Sequence, residues 1–374
     1  MNIKTIKNTK NQLFHKGVTY YIFENDRTKI CRTDNSSYNY HFNKLNGTFY
    51  RWGKTQNASD DPTFCPLGPE ILDIEVSVNG CTSNCTYCYK ENLSEDAYNM
   101  SFDTFKAILD KIPPVLTQIA FGITEENTNP ELLKMMQYCR QQGIIPNLTI
   151  TGKQLTNSLA DEFKHLVGAI AVSAHPHDLE LCYDTAFKLC ERGLKQVNIH
   201  LVVCQENLPF TYKVLKDTKT DNRLKKINAL VYLGIKPKGR AKSLFTPITQ
   251  NGFNQLIETC MVNNIPYGFD SCSAPKFSKA VISGKKNKSE KERLLSLTES
   301  CESSLFSAYI DVYGNYWPCS FAENEKDIMP VDVLRVSSFT DDIWDNHEVN
   351  KFRTRLIQSS EEGIRKCILF NQIN

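Results

Sequence analysis

The chain has 374 residues, a formal net charge of +2 and a hydrophobic content of 41%. This length suffices for two or three domains of ordinary size, and the hydrophobic content is high enough for a substantial core. The near-neutral charge lacks the basic excess typical of proteins that bind nucleic acid. No stretch approaches the roughly 20 apolar residues that a membrane-spanning helix needs.

Cysteine is frequent, with 14 residues in the chain. Residues 1–7 contain no apolar signal core, so we expect a cytoplasmic protein. In such a reducing compartment, thiols indicate metal ligands or buried side chains rather than disulfides.

Residues 1–68 are predicted to form a small β-rich segment. Short strands are expected at 18–23 and 38–42, and Asn46-Gly47 is a favourable hairpin turn. Residues 57–62 are interpreted as a linker to the next domain.

From residue 69 to 245, predicted strands and helices alternate. The strand-like apolar runs lie at 72–78, 117–121, 147–151, 169–173, 196–203 and 227–233. Amphipathic helical runs separate them, which predicts βαβ units and a parallel sheet. Several cysteines on the apolar helical faces are predicted to pack in the core as small hydrophobic side chains. They are Cys139, Cys182, Cys190 and Cys260.

Three further cysteines, Cys81, Cys85 and Cys88, share one short loop directly after the first of these strands. Three thiolates on one loop can hold three irons of a [4Fe–4S] cluster, whereas most such clusters take four cysteines. The next cysteine is Cys139, so one iron would remain open to a small chelating ligand. A zinc site is the alternative, but zinc prefers four tight ligands, commonly in two-plus-two spacing.

This spacing, with Tyr87 before the last cysteine and a strand before the loop, resembles the radical S-adenosylmethionine (SAM) superfamily. The resemblance implies that Cys81, Cys85 and Cys88 ligate the cluster and that the open iron binds SAM. It also implies reductive cleavage of SAM to a 5′-deoxyadenosyl radical, with an electron donor such as flavodoxin or ferredoxin.

The implied fold is α/β. A partial (β/α)6 TIM-like barrel at 69–245 would lie between the small N-terminal β-rich segment and a C-terminal cysteine-containing α+β extension at 246–374.

Residues 121–132 resemble the family's Gly-Gly-Glu stretch. Glu125 takes the place of the Glu and Gly122 precedes it, but Ile123 and Thr124 replace the paired glycines. In the family this segment contacts SAM through its backbone. The same residues also fit an ordinary strand-to-helix loop, with Asn129 as N-cap and Pro130 as the first helical residue.

The other cofactor-binding candidates lie in the cysteine loop or on and after predicted strands. They are Tyr87, Thr149, Ser173, Asn198 and Arg240. Arg240 ends a turn that resembles the Pro-x-Gly-Arg turn of SPASM-type relatives. A guanidinium suits a carboxylate or phosphate, and a solvated basic loop is the alternative.

The histidines near these strand ends give weaker evidence about which residues form the site. His200 shares a strand face with Asn198, and a structural role and a substrate contact remain open for it. For the loop residues His175 and His177, we expect solvation.

The C-terminal third contains four cysteines outside helical faces: Cys272, Cys301, Cys319 and Cys367. A predicted hairpin at 308–319 ends in Pro-Cys. This sequence motif resembles the SPASM and twitch extensions that bind auxiliary iron–sulfur clusters. Four cysteines suffice for one fully ligated cluster. Four unrelated thiols are the alternative.

The resemblance implies a radical SAM enzyme that abstracts hydrogen from a peptide or protein substrate. A small-metabolite dehydrogenase or epimerase of the twitch type is an alternative. A non-catalytic iron–sulfur or zinc protein is another, and the missing glycine pair supports it. An RNA-modifying enzyme is disfavoured by the near-neutral charge.

Overall fold

The computed structural model of the chain describes residues 9–53, 62–92, 96–284 and 286–373. Except for Pro62, the predicted linker lies outside the described residues.

The N-terminal segment forms a five-stranded antiparallel meander in sequential order. Its strands are β1 (Thr9–His15), β2 (Val18–Glu24), β3 (Thr28–Thr33), β4 (Asn39–Asn43) and β5 (Phe49–Trp52). The predicted hairpin is confirmed: Phe42 pairs with Phe49, and Gly47 has a φ of +76° in the turn. The inner face of this sheet buries Tyr20, Ile22, Tyr40 and Phe42.

The remaining strands form a ten-stranded sheet and a two-stranded sheet. They are β6 (Ile71–Glu75), β7 (Ser77–Val78), β8 (Tyr98–Asn99), β9 (Gln118–Gly122), β10 (Ile145–Ile150), β11 (Ile170–Ser173), β12 (Val197–Val203), β13 (Ala229–Gly234), β14 (Tyr267–Phe269), β15 (Ser307–Ile310), β16 (Asn315–Trp317) and β17 (Val331–Asp332).

The order of the large sheet is β14-β13-β12-β11-β10-β9-β6-β15-β16-β17, and β7 pairs with β8. All pairings from β14 to β15 are parallel, and β16 and β17 continue the sheet antiparallel.

Helices connect the parallel strands and cover the sheet. They are α1 (Phe102–Leu109), α2 (Leu132–Gln141), α3 (Asn157–Leu166), α4 (Leu179–Glu191), α5 (Leu208–Thr220), α6 (Gln250–Val262), α7 (Ala274–Ser283), α8 (Lys288–Ser296) and α9 (His347–Gln358). This arrangement is the α/β partial TIM-like barrel that the sequence predicts. Cys139, Cys182, Cys190 and Cys260 are buried on their helices, as expected.

Two short parallel strands flank the six strands predicted for the barrel. β14 was not predicted; β15 is the first strand of the predicted hairpin, but its parallel pairing with β6 was not expected. The parallel sheet therefore continues past residue 245, and the C-terminal hairpin of β15 and β16 joins it through β6.

The start of α2 differs from the expectation. The helix begins at Leu132 with Glu131 as N-cap, so Pro130 is not its first residue. Asn129 instead donates its side-chain amide to the carbonyl oxygens of Val76 and Met100, which fixes the preceding turn outside the helix.

Within the described ranges, no helix combines the length and apolar character needed to span a bilayer.

Candidate functional site

The cysteine loop, residues 79–89, follows β7 at the carboxyl end of the first barrel strand. Asn79, Gly80 and Asn84 have φ values of +60°, +64° and +45°, so the chain reverses tightly there. Burial, followed by the nearby thiols of Cys81 and Cys88, raises the pKa of Cys85 to about 11. The thiols of Cys81 and Cys88 thus lie near Cys85 and disfavour its thiolate, and a bound cation would relieve that repulsion.

Glu125 connects the loop after β9 with the cysteine loop. Its Oε1 accepts hydrogen bonds from the backbone N–H of Thr82 at 2.7 Å and from the Thr82 hydroxyl at 2.5 Å. Glu125 is 1% exposed, and its Oε2 is buried without a hydrogen-bond partner in the described part of the chain. This oxygen is available to a donor that the protein itself does not supply.

Gly122 has a structural role in the sheet. Its carbonyl oxygen accepts from Val76 N–H at 2.8 Å. A Cβ atom at this position would lie 3.2 Å from Glu75 Cα, so the close approach of β6 and β9 requires a small residue.

The turn at 236–240 packs directly on the cysteine loop. Arg240 donates its backbone N–H to the Cys88 carbonyl at 3.0 Å and its guanidinium to the Asn84 side-chain oxygen at 2.9 Å. Gly239 has a φ of +57°, and a Cβ there would lie 2.6 Å from the carbonyl oxygens of Cys88 and Tyr89. Arg240 therefore stabilises the cysteine loop rather than forming a purely solvated basic loop.

His175 is an unexpected member of the site. The prediction of a solvated side chain is wrong: His175 is 7% exposed, and its Nδ1 lies 2.5 Å from the Tyr87 hydroxyl and 3.6 Å from Cys85 Sγ. Burial, then the neighbouring His177, lowers the pKa of His175 to about 4. His177 itself is exposed, as expected.

The remaining cofactor-binding candidates, Thr149, Ser173 and Asn198, fall into two groups by their position along the barrel strands. Thr149 Oγ1 lies 3.3 Å from Nδ1 of His200, and Ser173 is the register partner of His200. Burial lowers the pKa of His200 to about 4. Asn198 lies two residues nearer the amino end of β12, where its side chain accepts from Asn228, so the structure does not bring it to the others.

The four C-terminal cysteines line one cavity of about 210 Å³. Cys272 follows β14, Cys301 precedes β15, Cys319 follows β16 and Cys367 lies in the C-terminal tail. Burial raises the pKa of Cys319 to about 12, and the adjacent Cys301 and Cys367 add to this shift. The arrangement collects four thiols at the open edge of the barrel, beside the buried ion pair of Lys236 and Asp270.

The two cysteine sets are connected by direct packing. The rings of Tyr89 and Phe321 lie 4.7 Å apart between centroids. Lys90 pairs with Glu75 at 3.1 Å and with Glu323. Residues that follow Cys88 in the chain thus contact residues that follow Cys319.

The chain resembles known proteins over a greater length in fold than in sequence. No protein-family model matches the sequence. The tungsten-containing aldehyde ferredoxin oxidoreductase cofactor-modifying protein of Pyrococcus furiosus is 28% identical over 100 residues. That match spans 26% of this chain and 28% of the relative, so the chain matches less than a third of the length of this curated protein.

Solved structures match far more of the chain. SuiB of Streptococcus suis, bound to SAM, matches with a TM-score of 0.65 and 12% identity over 86% of this chain and 89% of SuiB. anSMEcpe with bound SAM and the Cp18Cys peptide matches with a TM-score of 0.58 and 14% identity over 82% of this chain and 94% of that one. Both are radical SAM enzymes. The chain has the radical SAM fold.

Within this barrel, the loops after β9, β11 and β13 contact the cysteine loop at Thr82, Cys85 and Cys88, respectively. The cysteine triplet and Glu125 could be predicted from the sequence because each belongs to a motif with a recognisable spacing along the chain. No motif marks His175 or Gly239, although the left-handed glycine of a Lys-Gly-Arg turn is a weak signal for close backbone approach.

Proposed function

We propose that the chain is a radical SAM enzyme in which Cys81, Cys85 and Cys88 bind a [4Fe–4S] cluster with one open iron. The observation that carries this proposal is the cysteine loop at the carboxyl end of the barrel, where (β/α) barrels place their reactive groups. The donor set fits, because three neighbouring thiols leave one iron without a protein ligand. When bound, such a cluster supplies one electron to SAM, whose cleavage gives methionine and a 5′-deoxyadenosyl radical.

The protein's own residues would bind and orient SAM. The buried, unpartnered Oε2 of Glu125 suits a cationic donor, and Tyr87 offers a ring beside Cys85. Gly122, Thr149, Ser173 and Arg240 remain candidate contacts. Asn198 remains a weaker one because it lies further along the barrel.

We further propose that Cys272, Cys301, Cys319 and Cys367 bind an auxiliary iron–sulfur cluster. Their shared cavity supports this, and four thiols would leave no open iron for a substrate. An electron-transfer role follows from full ligation, and the packing of Tyr89 on Phe321 brings the two cysteine sets together. The alternative of four unrelated thiols leaves their convergence unexplained.

The proposed substrate is a peptide or protein. SuiB has been solved with its precursor peptide SuiA, in a structure that covers 90% of this chain, and anSMEcpe with the Cp18Cys peptide. Flavodoxin or ferredoxin is the proposed electron donor. A twitch-type enzyme for small metabolites and a non-catalytic iron–sulfur protein are the competing functions.

Anaerobic reconstitution with iron and sulfide, followed by SAM and dithionite, tests the proposal. We expect a cluster whose EPR spectrum changes with SAM, and we expect 5′-deoxyadenosine as product. A fully loaded cluster without this product supports the non-catalytic protein, and zinc in place of iron contradicts the proposal. Addition of candidate peptides then separates peptide from metabolite substrates.

A further inference from the structure

The inner face of the barrel carries the carboxylate of Asp73 on β6. Leu72 and Ile74 pack in the hydrophobic core, so Asp73, which lies between them, faces the barrel interior. It also lines the cavity that the four C-terminal cysteines share. Among the residues that the structure describes, none donates a hydrogen bond or forms an ion pair to the Asp73 carboxylate.

Two lysines near Asp73 are already paired with other carboxylates. Lys90 pairs with Glu75, two residues further along β6, at 3.1 Å. Lys236 lines the same cavity as Asp73 but pairs with Asp270. Burial alone raises the pKa of Asp73 to about 6, with no contribution from a neighbouring cation. A carboxylate withdrawn from water without a partner is costly, and a cationic ligand would offset that cost.

Small residues on the neighbouring strands leave space in front of Asp73. Its register partner on β9 is Ala120, and Gly122 follows on the same face of that strand. On β11, Ala171 faces inward between two core residues. Bulky branched side chains fill this space in closed (β/α) barrels. The interior of this barrel can therefore admit a side chain of a ligand.

The depth of Asp73 in the barrel favours a long side chain. Glu75 is the last residue of β6, and the cysteine loop follows β7 beyond it. At about 3.3 Å per residue, Asp73 lies roughly 7 Å below the end of β6. Lysine and arginine carry their cation on a long flexible stem that can lie along apolar surface. Either side chain could reach Asp73 from a peptide backbone that lies across the barrel mouth.

We propose that Asp73 binds the ammonium or guanidinium group of a lysine or arginine side chain in the substrate. The enzyme would then act on peptides that carry such a residue at or beside the modified position. This inference rests on the proposed function, since it concerns the peptide substrate of the radical SAM barrel. An anchored cation would hold the carbon atoms of its residue below the cysteine loop, where the radical would form.

Selection from a random library of displayed decapeptides supplies the probe. The wild-type protein is reconstituted with iron and sulfide, immobilised without air and supplied with SAM. The peptide that is enriched most is then synthesised with lysine, arginine or norleucine at its most strongly selected position. Norleucine keeps the four-carbon stem of lysine but has no charge. Fluorescence anisotropy measures the dissociation constant of each peptide.

We expect lysine or arginine to be enriched at one position of the selected peptides. The norleucine peptide should bind the wild type at least about tenfold more weakly, because it leaves the carboxylate unpaired. Asp73→Asn keeps the shape of the side chain and removes its charge. In this variant, the lysine and norleucine peptides should bind about equally.

Glu325→Gln is the matched control for the loss of a carboxylate. Glu325 lies in the C-terminal extension and pairs with Lys238 at 3.0 Å, so its substitution should keep the wild-type preference for a cation. The iron content of each variant checks that it is folded and loaded. If Asp73→Asn contains less iron than the wild type, Asp73→Ser takes its place.

Equal affinities of the lysine and norleucine peptides for the wild type would overturn the inference. A preference for the cation that persists without the Asp73 carboxylate would also overturn it, because another group would then bind the cation. A protein whose cluster responds to SAM but that selects no peptide would contradict both this inference and the peptide substrate. Failure of the proposed function is distinguished by the wild-type protein itself, which would then contain no cluster that responds to SAM.

Discussion

Glu125 accepts two hydrogen bonds from Thr82, the residue that follows Cys81, at 2.7 and 2.5 Å. The loop that would hold iron is therefore bonded to the loop that would hold SAM, through one buried carboxylate. A carboxylate that is buried with an unused oxygen is costly unless a ligand supplies a further donor. In the proposed function, Glu125 would thus connect the position of the cysteines to the binding of a cationic ligand group.

Glu125→Gln should weaken SAM binding. The variant loses a negative charge, and hydrogen bonds to charged groups contribute about 1.5–3 kcal/mol. We therefore expect the dissociation constant of SAM, measured by EPR titration of the reconstituted protein, to rise at least about tenfold.

Glu126→Gln is the control for this prediction. Glu126 is equally buried, but it accepts from the backbone N–H groups of Gly152 and Gln154. Its substitution should lower the free energy of unfolding and leave the SAM affinity nearly unchanged. Equal losses of affinity in both variants would contradict the role given to Glu125.

Gly239→Ala should damage the cysteine loop. Its φ of +57° disfavours any side chain, and its Cβ would lie 2.6 Å from two carbonyl oxygens of that loop. Gly47→Ala is matched in backbone strain, with a φ of +76°, but has nothing within 4 Å of the added Cβ.

Both variants should lose about 1–2 kcal/mol of unfolding free energy from the left-handed conformation. Gly239→Ala should lose about 1 kcal/mol more, or shift the loop, and should bind less iron on reconstitution. Urea unfolding and iron analysis measure both quantities. Identical behaviour of the two variants would show that the contact with Cys88 and Tyr89 is unimportant.

The sequence predicts those candidate site residues that depend on spacing along the chain. Cys81, Cys85, Cys88 and Glu125 belong to motifs, and the strands that precede them have long apolar runs. His175 could not be placed, because its burial results from packing between the loop after β11 and the cysteine loop. Nothing within its own segment distinguishes it from the exposed His177.

The strand β14 and the pairing of β15 with β6 were not predicted, for a related reason. β14 and β15 are short, and β15 is stabilised by pairing with β6, more than 230 residues earlier in the chain. Local propensity carries no information about such a partner. The convergence of Cys272 and Cys301 at the barrel's open edge depends on these two strands. The sequence therefore groups the cysteines only by their position outside helical faces.

Cys85→Ala should abolish SAM cleavage. Two cysteines cannot hold the cluster in the proposed geometry, so 5′-deoxyadenosine should fall to the background of the assay. Cys190→Ala, which removes a thiol buried on α4, should retain activity and lose only stability. Cleavage by a well-folded Cys85→Ala protein would show that the cysteine loop is not the cluster site.

Cys319→Ala should lower the iron content by about one cluster. The thiol is one of four in the cavity, so its loss should break the proposed auxiliary cluster and leave the cysteine loop intact. SAM cleavage should continue in part, since it requires only the first cluster. An unchanged iron content, measured per folded chain beside Cys190→Ala, would exclude a cluster in this cavity.

Alkaline pH should reduce stability through buried thiols such as Cys182 on α4. Burial raises the pKa of Cys182 to about 12 from its ordinary value of 9.0, so the folded state keeps a proton that the unfolded state loses. The stabilisation is fully present below pH 9 and is lost as the pH rises from 9 towards 12, at up to about 1.4 kcal/mol per pH unit.

Cys182→Ala removes this dependence. In urea unfolding at pH 7–10.5 under reducing conditions, the variant should begin less stable than the wild type, because it leaves a small cavity. The difference should then shrink above pH 9, since only the wild-type unfolded state gains a thiolate at this position. Thr185→Ala, which changes a buried residue of the same helix that does not titrate, should keep a constant difference from the wild type. Parallel pH curves for wild type and Cys182→Ala would contradict a thiol that stays protonated in the fold.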